Sequence, residues 1–297
     1  MRYSRLFADA VASGTARAIH APLLIGALTL SGIGTHHQRS GVNPFCLDEA
    51  HGSSTTRLHG REKAQNPRDT QDSVSALLSQ LQDSNSTRRL DAIHRLVQLH
   101  ENRAVEPLIN LLLRDPDPNL RRAAAYGLGQ LGDPRAIQPL IASLKDENPN
   151  VCMNSIFAVA RIGGPERVNA LIGALAHKDL HVCRAAAVGL VLLGDKDAVP
   201  PLIKSLDDNR LNVRSGAAFA LGFLGDRRAV PALLRTLEDD RPLVRQTAIG
   251  ALGLLGDAGI GPALQRLASE DPDPQVRARA AEVLKRLKTI PEKQRRP

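Results

Sequence analysis

Aromatic residues are scarce in this chain: its 297 residues include no tryptophan, two tyrosines and five phenylalanines. A single large globular core normally uses more aromatic volume than this. The apolar residues are mainly leucine, alanine and valine, which suit the close packing of many short helices. The composition therefore argues against one large core.

Cysteine is also sparse, and Cys46, Cys152 and Cys183 are the complete set. An odd number of widely spaced cysteines does not build a disulfide framework. Because this usage fits a reducing compartment best, we expect a cytoplasmic protein.

Excess charge is missing from most of the chain, although the net charge is +8. Residues 73–284 carry 25 Lys and Arg against 24 Asp and Glu, whereas residues 285–297 carry 6 against 1. A basic tail is not a basic domain, so nucleic acid is the less favoured partner.

The first 72 residues differ from the rest, and we expect a mostly disordered N-terminal extension. Residues 18–38 contain no Asp, Glu, Lys or Arg. The apolar part, residues 21–34, is too short and too interrupted by glycine for a stable membrane span. The alternative is that residues 1–34 act as a targeting segment of an exported or organellar protein.

One phrase recurs from residue 73 onward. Residues 198–206, AVPPLIKSL, are similar to residues 229–237, AVPALLRTL. The copies begin at residues 73, 104, 136, 167, 198, 229 and 259. A period of about 31 residues is the signature of a repeat array.

Each copy contains two segments with apolar residues at helical spacing, joined by a short polar turn. Leu-Gly-Asp or a close variant ends most second segments, and Gly132, Gly194, Gly225 and Gly256 suit the left-handed position after a helix. One such hairpin cannot bury its apolar face alone, whereas stacked hairpins share a continuous core.

This phrase resembles the HEAT-like repeat of the phycobilisome-lyase type. The resemblance covers residues 73–290 and implies an all-α fold, an α-solenoid superhelix of about seven HEAT-like helical hairpins. Residues 291–297 remain as a basic tail. The class includes scaffolds, chromophore lyase subunits, a hydroxylase and DNA-binding proteins, so the resemblance implies a fold and no single activity.

A di-iron hydroxylase of this class is expected to carry His-Glu pairs on its second helices. The one such pair here, His100-Glu101, lies at a loop position, so we reject that interpretation. We find no catalytic triad and no Gly-rich phosphate loop, and we predict neither enzymatic activity nor a cofactor.

An arginine follows the first apolar residue of several second helices, at Arg89, Arg121, Arg214, Arg245 and Arg277. Because acids lie at the turns, we predict an ion-pair ladder along the array; a row of phosphate-binding sites is the alternative.

Cysteine replaces this arginine in two adjacent copies, at Cys152 and Cys183. A zinc site formed by these thiols with His181 is conceivable, but no CxxC or HxxxH pattern supports it. Small apolar filler is the commoner role for such cysteines.

Three of the four aromatic residues of the array share one repeat position, which we expect on the concave side of the solenoid. Together with a second position one turn later and nearby arginines, they predict a partner-binding strip. Its members are Tyr126, Phe157, Val188, Leu192, Phe219, Phe223 and Leu254, with Arg122, Arg161 and Arg184 at its edges.

The predicted function is a protein-interaction scaffold or adaptor that binds an extended peptide or amphipathic helix with some acidic residues. A lyase-like subunit and a nucleic-acid-binding protein are the alternatives.

Overall fold

The computed structural model of the protein describes residues 67–256 and 258–289. The predictions for Cys46, for the apolar residues 21–34 and for the tail at 291–297 lie outside these residues. The described part contains fourteen α-helices and no strand. None of these helices combines the length and apolarity that a bilayer span requires.

The helices form seven hairpins in chain order. The first helices of the hairpins are α1 (Pro67–Gln80), α3 (Val105–Arg114), α5 (Ile137–Ala142), α7 (Arg167–Ala174), α9 (Val199–Ser205), α11 (Val230–Thr236) and α13 (Gly261–Glu270). The second helices are α2 (Ser86–Gln98), α4 (Pro118–Leu131), α6 (Pro149–Ile162), α8 (Leu180–Leu193), α10 (Leu211–Leu224), α12 (Pro242–Leu255) and α14 (Pro274–Thr289). The predicted all-α solenoid of seven hairpins is confirmed.

The described part of α1 extends over Pro67–Gln80, and its buried residues begin with Val74. The apolar pattern of the first repeat therefore starts at the residue after the predicted boundary at 73.

Short 3-10 turns precede most first helices, and glycine ends four of the second helices. Gly132, Gly194, Gly225 and Gly256 have φ values of 74°, 58°, 71° and 67°. This left-handed backbone is inexpensive for a residue without a Cβ, so the predicted helix ends are confirmed.

A continuous core runs through the described repeats. One leucine of the first helix is fully buried in each of six hairpins: Leu108, Leu140, Leu171, Leu202, Leu233 and Leu264. Every hairpin therefore shares its apolar face with its neighbours, as expected for a stacked array.

Neighbouring second helices pack on one another closely, whereas neighbouring first helices make far fewer contacts. A Cβ added to Gly222 would lie 2.6 Å from Cα of Ala251, and one added to Gly129 would lie 2.9 Å from Cβ of Ala158. Because glycine and alanine permit this approach, the second helices form the more crowded layer of the stack, as expected for its concave side.

Candidate protein-binding face

We call one set of second-helix positions the inner face. Its members lie one helical turn apart on the side away from the core valine or leucine that recurs near the start of each helix. They are Arg122, Tyr126 and Gln130 on α4; Met153, Phe157 and Arg161 on α6; Arg184, Val188 and Leu192 on α8; Ser215, Phe219 and Phe223 on α10; and Gln246, Gly250 and Leu254 on α12.

Apolar side chains are exposed on this face at three of the predicted positions. Tyr126 is 41% exposed, Leu192 is 39% exposed and Leu254 is 46% exposed. Only six large apolar side chains of the described residues reach this degree of exposure. Half of that exposed set therefore lies on one face of the second helices.

The phenylalanines of the inner face are only half exposed. Phe157 and Phe219 pack against the core while keeping part of their rings accessible. The rings of Phe219 and Phe223 are tilted by 44° with centroids 4.6 Å apart, which is a favourable aromatic pair. These rings both support the hairpin stack and contribute apolar surface.

Val188 is buried, contrary to the expectation that its position is exposed in every repeat. It is 2% exposed, although it shares a register position with Tyr126, Phe157 and Phe219. Valine is shorter than these rings and does not extend to the surface from the same backbone position. Val188 therefore belongs to the core between hairpins.

The three predicted arginines of the inner face differ from the other arginines of these helices because they form no ion pair with a described residue. Arg161 is exposed, and Arg122 and Arg184 are half-buried. The Nε atom of Arg122 is buried without a hydrogen-bond partner. Their charge is thus uncompensated within the described protein.

The charge of Arg122 also acts on a neighbouring histidine. Burial lowers the pKa of His94 on α2, the carboxylate of Asp91 opposes this effect and Arg122 adds to the lowering. The interaction places Arg122 beside the inner side of α2, so the cationic region begins at the first junction between second helices.

The helix boundaries show that five of the second helices lack acidic residues, which the charge count over the whole array did not reveal. The second helices α4, α6, α8, α10 and α12 have 14 residues each and contain no Asp or Glu. Acids on first helices and turns balance the total, so counting over the whole array hides this asymmetry. Helix-by-helix counting would have found it.

The predicted ion-pair ladder is present at four of its five arginines, and we use the name for these four pairs, which link consecutive repeats. They are Arg89–Asp115 at 3.1 Å, Arg121–Asp146 at 2.8 Å, Arg214–Asp239 at 2.6 Å and Arg245–Asp271 at 2.8 Å. The fifth, Arg277 in the last hairpin, donates only to the backbone carbonyls of Asp271 and Pro272 among the described residues. Each arginine also donates to backbone carbonyls of its own turn, as Arg121 does to Asp115 and Pro116. Because these guanidinium groups are engaged and largely buried, they do not form the alternative row of phosphate sites.

The two cysteines occupy the ladder position in the third and fourth hairpins. Sγ of Cys152 contacts the carbonyl oxygen of Asp146 at 3.2 Å, and Sγ of Cys183 contacts that of His177 at 3.0 Å. Burial raises the pKa of Cys152 to about 11 and also raises the pKa of Cys183. Both thiols are thus buried, protonated replacements for an arginine at physiological pH.

The structure does not assemble the zinc site considered from the sequence. Across residues 67–256 and 258–289, no three His, Cys, Asp or Glu side chains come close enough to hold a metal ion. His181 is exposed at the start of α8, whereas Cys152 and Cys183 are buried.

The single His-Glu pair has a local role at the end of α2. His100 has a positive φ of 51°, and the side chain of Glu101 accepts a hydrogen bond from the backbone N–H of Arg103. Glu101 is therefore occupied in capping the turn before α3.

Comparison with protein families identifies the repeats as HEAT repeats. A family model described as HEAT repeats matches residues 105–190, 139–218, 179–246 and 235–294. Together the matches extend over residues 105–294, well over half of the 297 residues. A comparison with curated proteins found no match.

Solved structures with similar architecture share little sequence with the chain. The CpcE–CpcF complex of phycocyanin lyase from Nostoc is 21% identical with a TM-score of 0.43, covering 79% of this chain and 100% of that one. Human deoxyhypusine hydroxylase is 24% identical with a TM-score of 0.35, covering 72% and 84%. YibA of Escherichia coli is 20% identical with a TM-score of 0.41, covering 77% and 100%. At these values the similarities say nothing about the function of this chain.

Proposed function

The chain belongs to the HEAT-repeat family, and we propose that it is a scaffold or adaptor that binds another protein along its inner face. The repeat fold favours protein partners. The role that we propose is therefore binding rather than catalysis.

The observation that carries this proposal is the combination of exposed apolar groups and uncompensated charge on one layer of helices. Leu192 and Leu254 expose apolar surface in register, and the Phe219–Phe223 pair lies between them in repeat order. Contiguous apolar surface on a soluble protein usually marks an interaction site. We propose that these groups supply the apolar anchors.

The charge of the inner face favours a partner with acidic residues. Arg122, Arg161 and Arg184 lie on helices that contain no acid. A partner carboxylate would gain a charge-assisted hydrogen bond there without displacing an existing ion pair. An extended peptide or amphipathic helix with acidic residues fits these features.

The test is capture of partners by the full chain compared with two double variants. Leu192→Glu/Leu254→Glu places charge on the inner face. Leu99→Glu/Leu113→Glu changes two leucines of comparable exposure, 56% and 48%, that lie off that face: Leu99 follows the end of α2, and Leu113 lies on the first helix α3. The captured proteins are identified by mass spectrometry, and far-UV circular dichroism checks that both variants keep their helicity.

Proteins retained by the wild type and the off-face variant, but lost by the inner-face variant, support the proposal. Equal retention by both variants would show that the inner face is not the binding surface. Nucleic acid bound in place of protein, with an affinity that falls steeply with salt, would support the competing nucleic-acid function.

A further inference from the structure

We infer that the inner face is divided into a cationic half on α4–α8 and an apolar half on α8–α12. We further infer that it binds a protein segment whose acidic and apolar residues lie in separate blocks. This inference rests on the proposed protein-binding function and specifies the partner that the face would accept.

The cationic half is defined by the unpaired arginines. It also carries Tyr126 and Phe157, so it differs from the other half in its unpaired charge and not in a lack of apolar groups. Arg122 and Arg184 occupy the same register position on α4 and α8, and Arg161 lies two turns further along α6. At the register position of Arg122 and Arg184, the next two second helices carry Ser215 and Gln246. The uncompensated positive charge of these helices therefore stops at α8.

The apolar half begins where the charge ends. The register position of Arg161 carries Leu192 on α8, Phe223 on α10 and Leu254 on α12. Phe219 extends this surface by its contact with Phe223. Three consecutive helices thus present apolar groups in one row. Arg279 on α14 borders this row, since its Nη2 lies 3.1 Å from where a Cβ of Gly250 would be, but its charge is paired with Glu282 at 2.9 Å.

The other arginines of these helices add little positive charge to the apolar half. Arg214 and Arg245 lie on the apolar half, but each is paired with the next repeat, at Asp239 and Asp271. Their side chains are 12% and 9% exposed. Since both charges are neutralised and buried, they contribute little field to the inner face.

A segment with separated blocks matches this arrangement better than one with mixed residues. An acid placed over the Phe219–Phe223 pair would lose hydration against apolar rings, and an apolar residue over Arg161 would desolvate an uncompensated charge. Adjacent helices lie about 10 Å apart, so each half spans about 20 Å. An extended chain covers this distance with about six residues, which predicts a segment of about twelve residues.

The same division favours protein over nucleic acid as the ligand. A nucleic-acid strand carries phosphates along its whole length and would meet unpaired cations on only half of the face. The six inner-face residues of α10 and α12 are Ser215, Phe219, Phe223, Gln246, Gly250 and Leu254, and none of them is cationic. A protein segment is the polymer whose charge can be confined to one end.

The inference is tested by selecting random 16-residue peptides from a display library on the immobilised full chain. We expect the enriched sequences to carry acids in one half and apolar residues in the other. A parallel selection uses Arg122→Glu/Arg184→Glu, and the control with the same change in net charge is Arg114→Glu/Arg241→Glu, whose arginines are exposed and lie off the inner face.

Charge reversal on the inner face should remove the acidic block from the selected peptides and retain the apolar block. A synthesised wild-type-selected peptide should bind this variant about tenfold or more weakly, whereas the control should be unchanged. Arg161→Glu changes an exposed residue and provides the same test if the double variant does not fold.

Three outcomes would overturn the inference. Enriched peptides with intermixed acids and apolar residues, or an acidic block that survives charge reversal, would disprove the division while leaving the protein-binding function intact. If the wild type enriches no peptide while binding a single-stranded oligonucleotide, both proposals fail.

Discussion

Arg245 on α12 makes two hydrogen bonds of 2.8 Å to the carboxylate of Asp271 in the next repeat, and their side chains are 9% and 2% exposed. The arginine also donates to the carbonyl oxygens of Asp239 and Asp240 in its own turn. One side chain therefore joins the turns of two consecutive hairpins. The ladder supplies such a link at four of the six junctions between described hairpins.

Arg245→Ala should lower the free energy of unfolding by about 3 kcal/mol, because it leaves the buried carboxylate of Asp271 without its counter-charge. The measurement is urea denaturation followed by circular dichroism. Arg266→Ala is the matched control, since Arg266 pairs with Glu238 across the same two repeats with side chains 54% and 70% exposed. Its loss should cost less than about 1 kcal/mol, and equal effects of the two changes would contradict the role of burial.

Stability should fall in acid because the ladder carboxylates have lowered pKa values. Burial raises the pKa of Asp271, but hydrogen bonds from Arg245 and from the backbone of Asp273 lower it by more. The pKa values of Asp146 and Asp239 are likewise lowered, because hydrogen bonds from Arg121 and Arg214 and from the backbone outweigh the effect of burial. The folded state then binds fewer protons than the unfolded state, so this stabilisation is complete above about pH 5 and is lost as the pH falls below about 4.

The free energy of unfolding of the wild type, measured in urea at about pH 6, 4 and 3, should decrease by about 2 kcal/mol or more. The decrease should be smaller in Arg245→Ala, because Asp271 then lacks the main group that lowers its pKa. A wild type that is equally stable at all three values would contradict the assigned cause.

The two junctions without a ladder pair differ in what faces the cysteine. Asp208 lies at the ladder-acid position that corresponds to Cys183, and it is paired with Arg210, which lowers its pKa to about 2. His177 lies at the position that corresponds to Cys152, and its Nδ1 accepts a hydrogen bond from the backbone N–H of Asp179. The same turn bond is accepted by a carboxylate elsewhere, for example by Asp239 from Arg241.

Cys183→Arg should therefore form a new ladder pair with Asp208 and raise the free energy of unfolding by about 1 kcal/mol. Cys152→Arg should destabilise the protein, because its guanidinium would face His177 without a carboxylate. Adding His177→Asp should restore stability, with a coupling energy of about 1 to 3 kcal/mol in a double-mutant cycle. No coupling between positions 152 and 177 would disprove the register on which the ladder is defined.

The repeat period made the fold predictable, because a spacing of about 31 residues places equivalent leucines such as Leu140 and Leu171 in one core. The ladder was also predictable from its arginines and turn acids. The exposure of the inner face was not, because it depends on the lengths of side chains on neighbouring helices. Val188 shows this clearly: its register position alone predicts exposure, but the valine is buried.

The absence of acidic residues from the second helices can be found in the sequence, but only when the helix boundaries are known. Once α4 is known to extend over Pro118–Leu131, the absence of acids in it and in the next four second helices can be counted. The replacement of a turn carboxylate by His177 was harder to find. It depends on a hydrogen bond from Asp179, and a residue name alone does not reveal it.

The close packing of second helices makes opposite predictions for two helical glycines. A Cβ on Gly222 would lie 2.6 Å from the backbone Cα of Ala251, so Gly222→Ala should force α10 and α12 apart and destabilise the protein by about 1 to 3 kcal/mol. A Cβ on Gly173 of α7 would meet no atom within 4 Å. Gly173→Ala should instead stabilise the protein by up to about 1 kcal/mol, since alanine restricts the unfolded chain and favours the helix. The measurement is the urea midpoint of unfolding of the two variants and the wild type. A Gly222→Ala protein as stable as Gly173→Ala would show that α10 and α12 are not in such close contact.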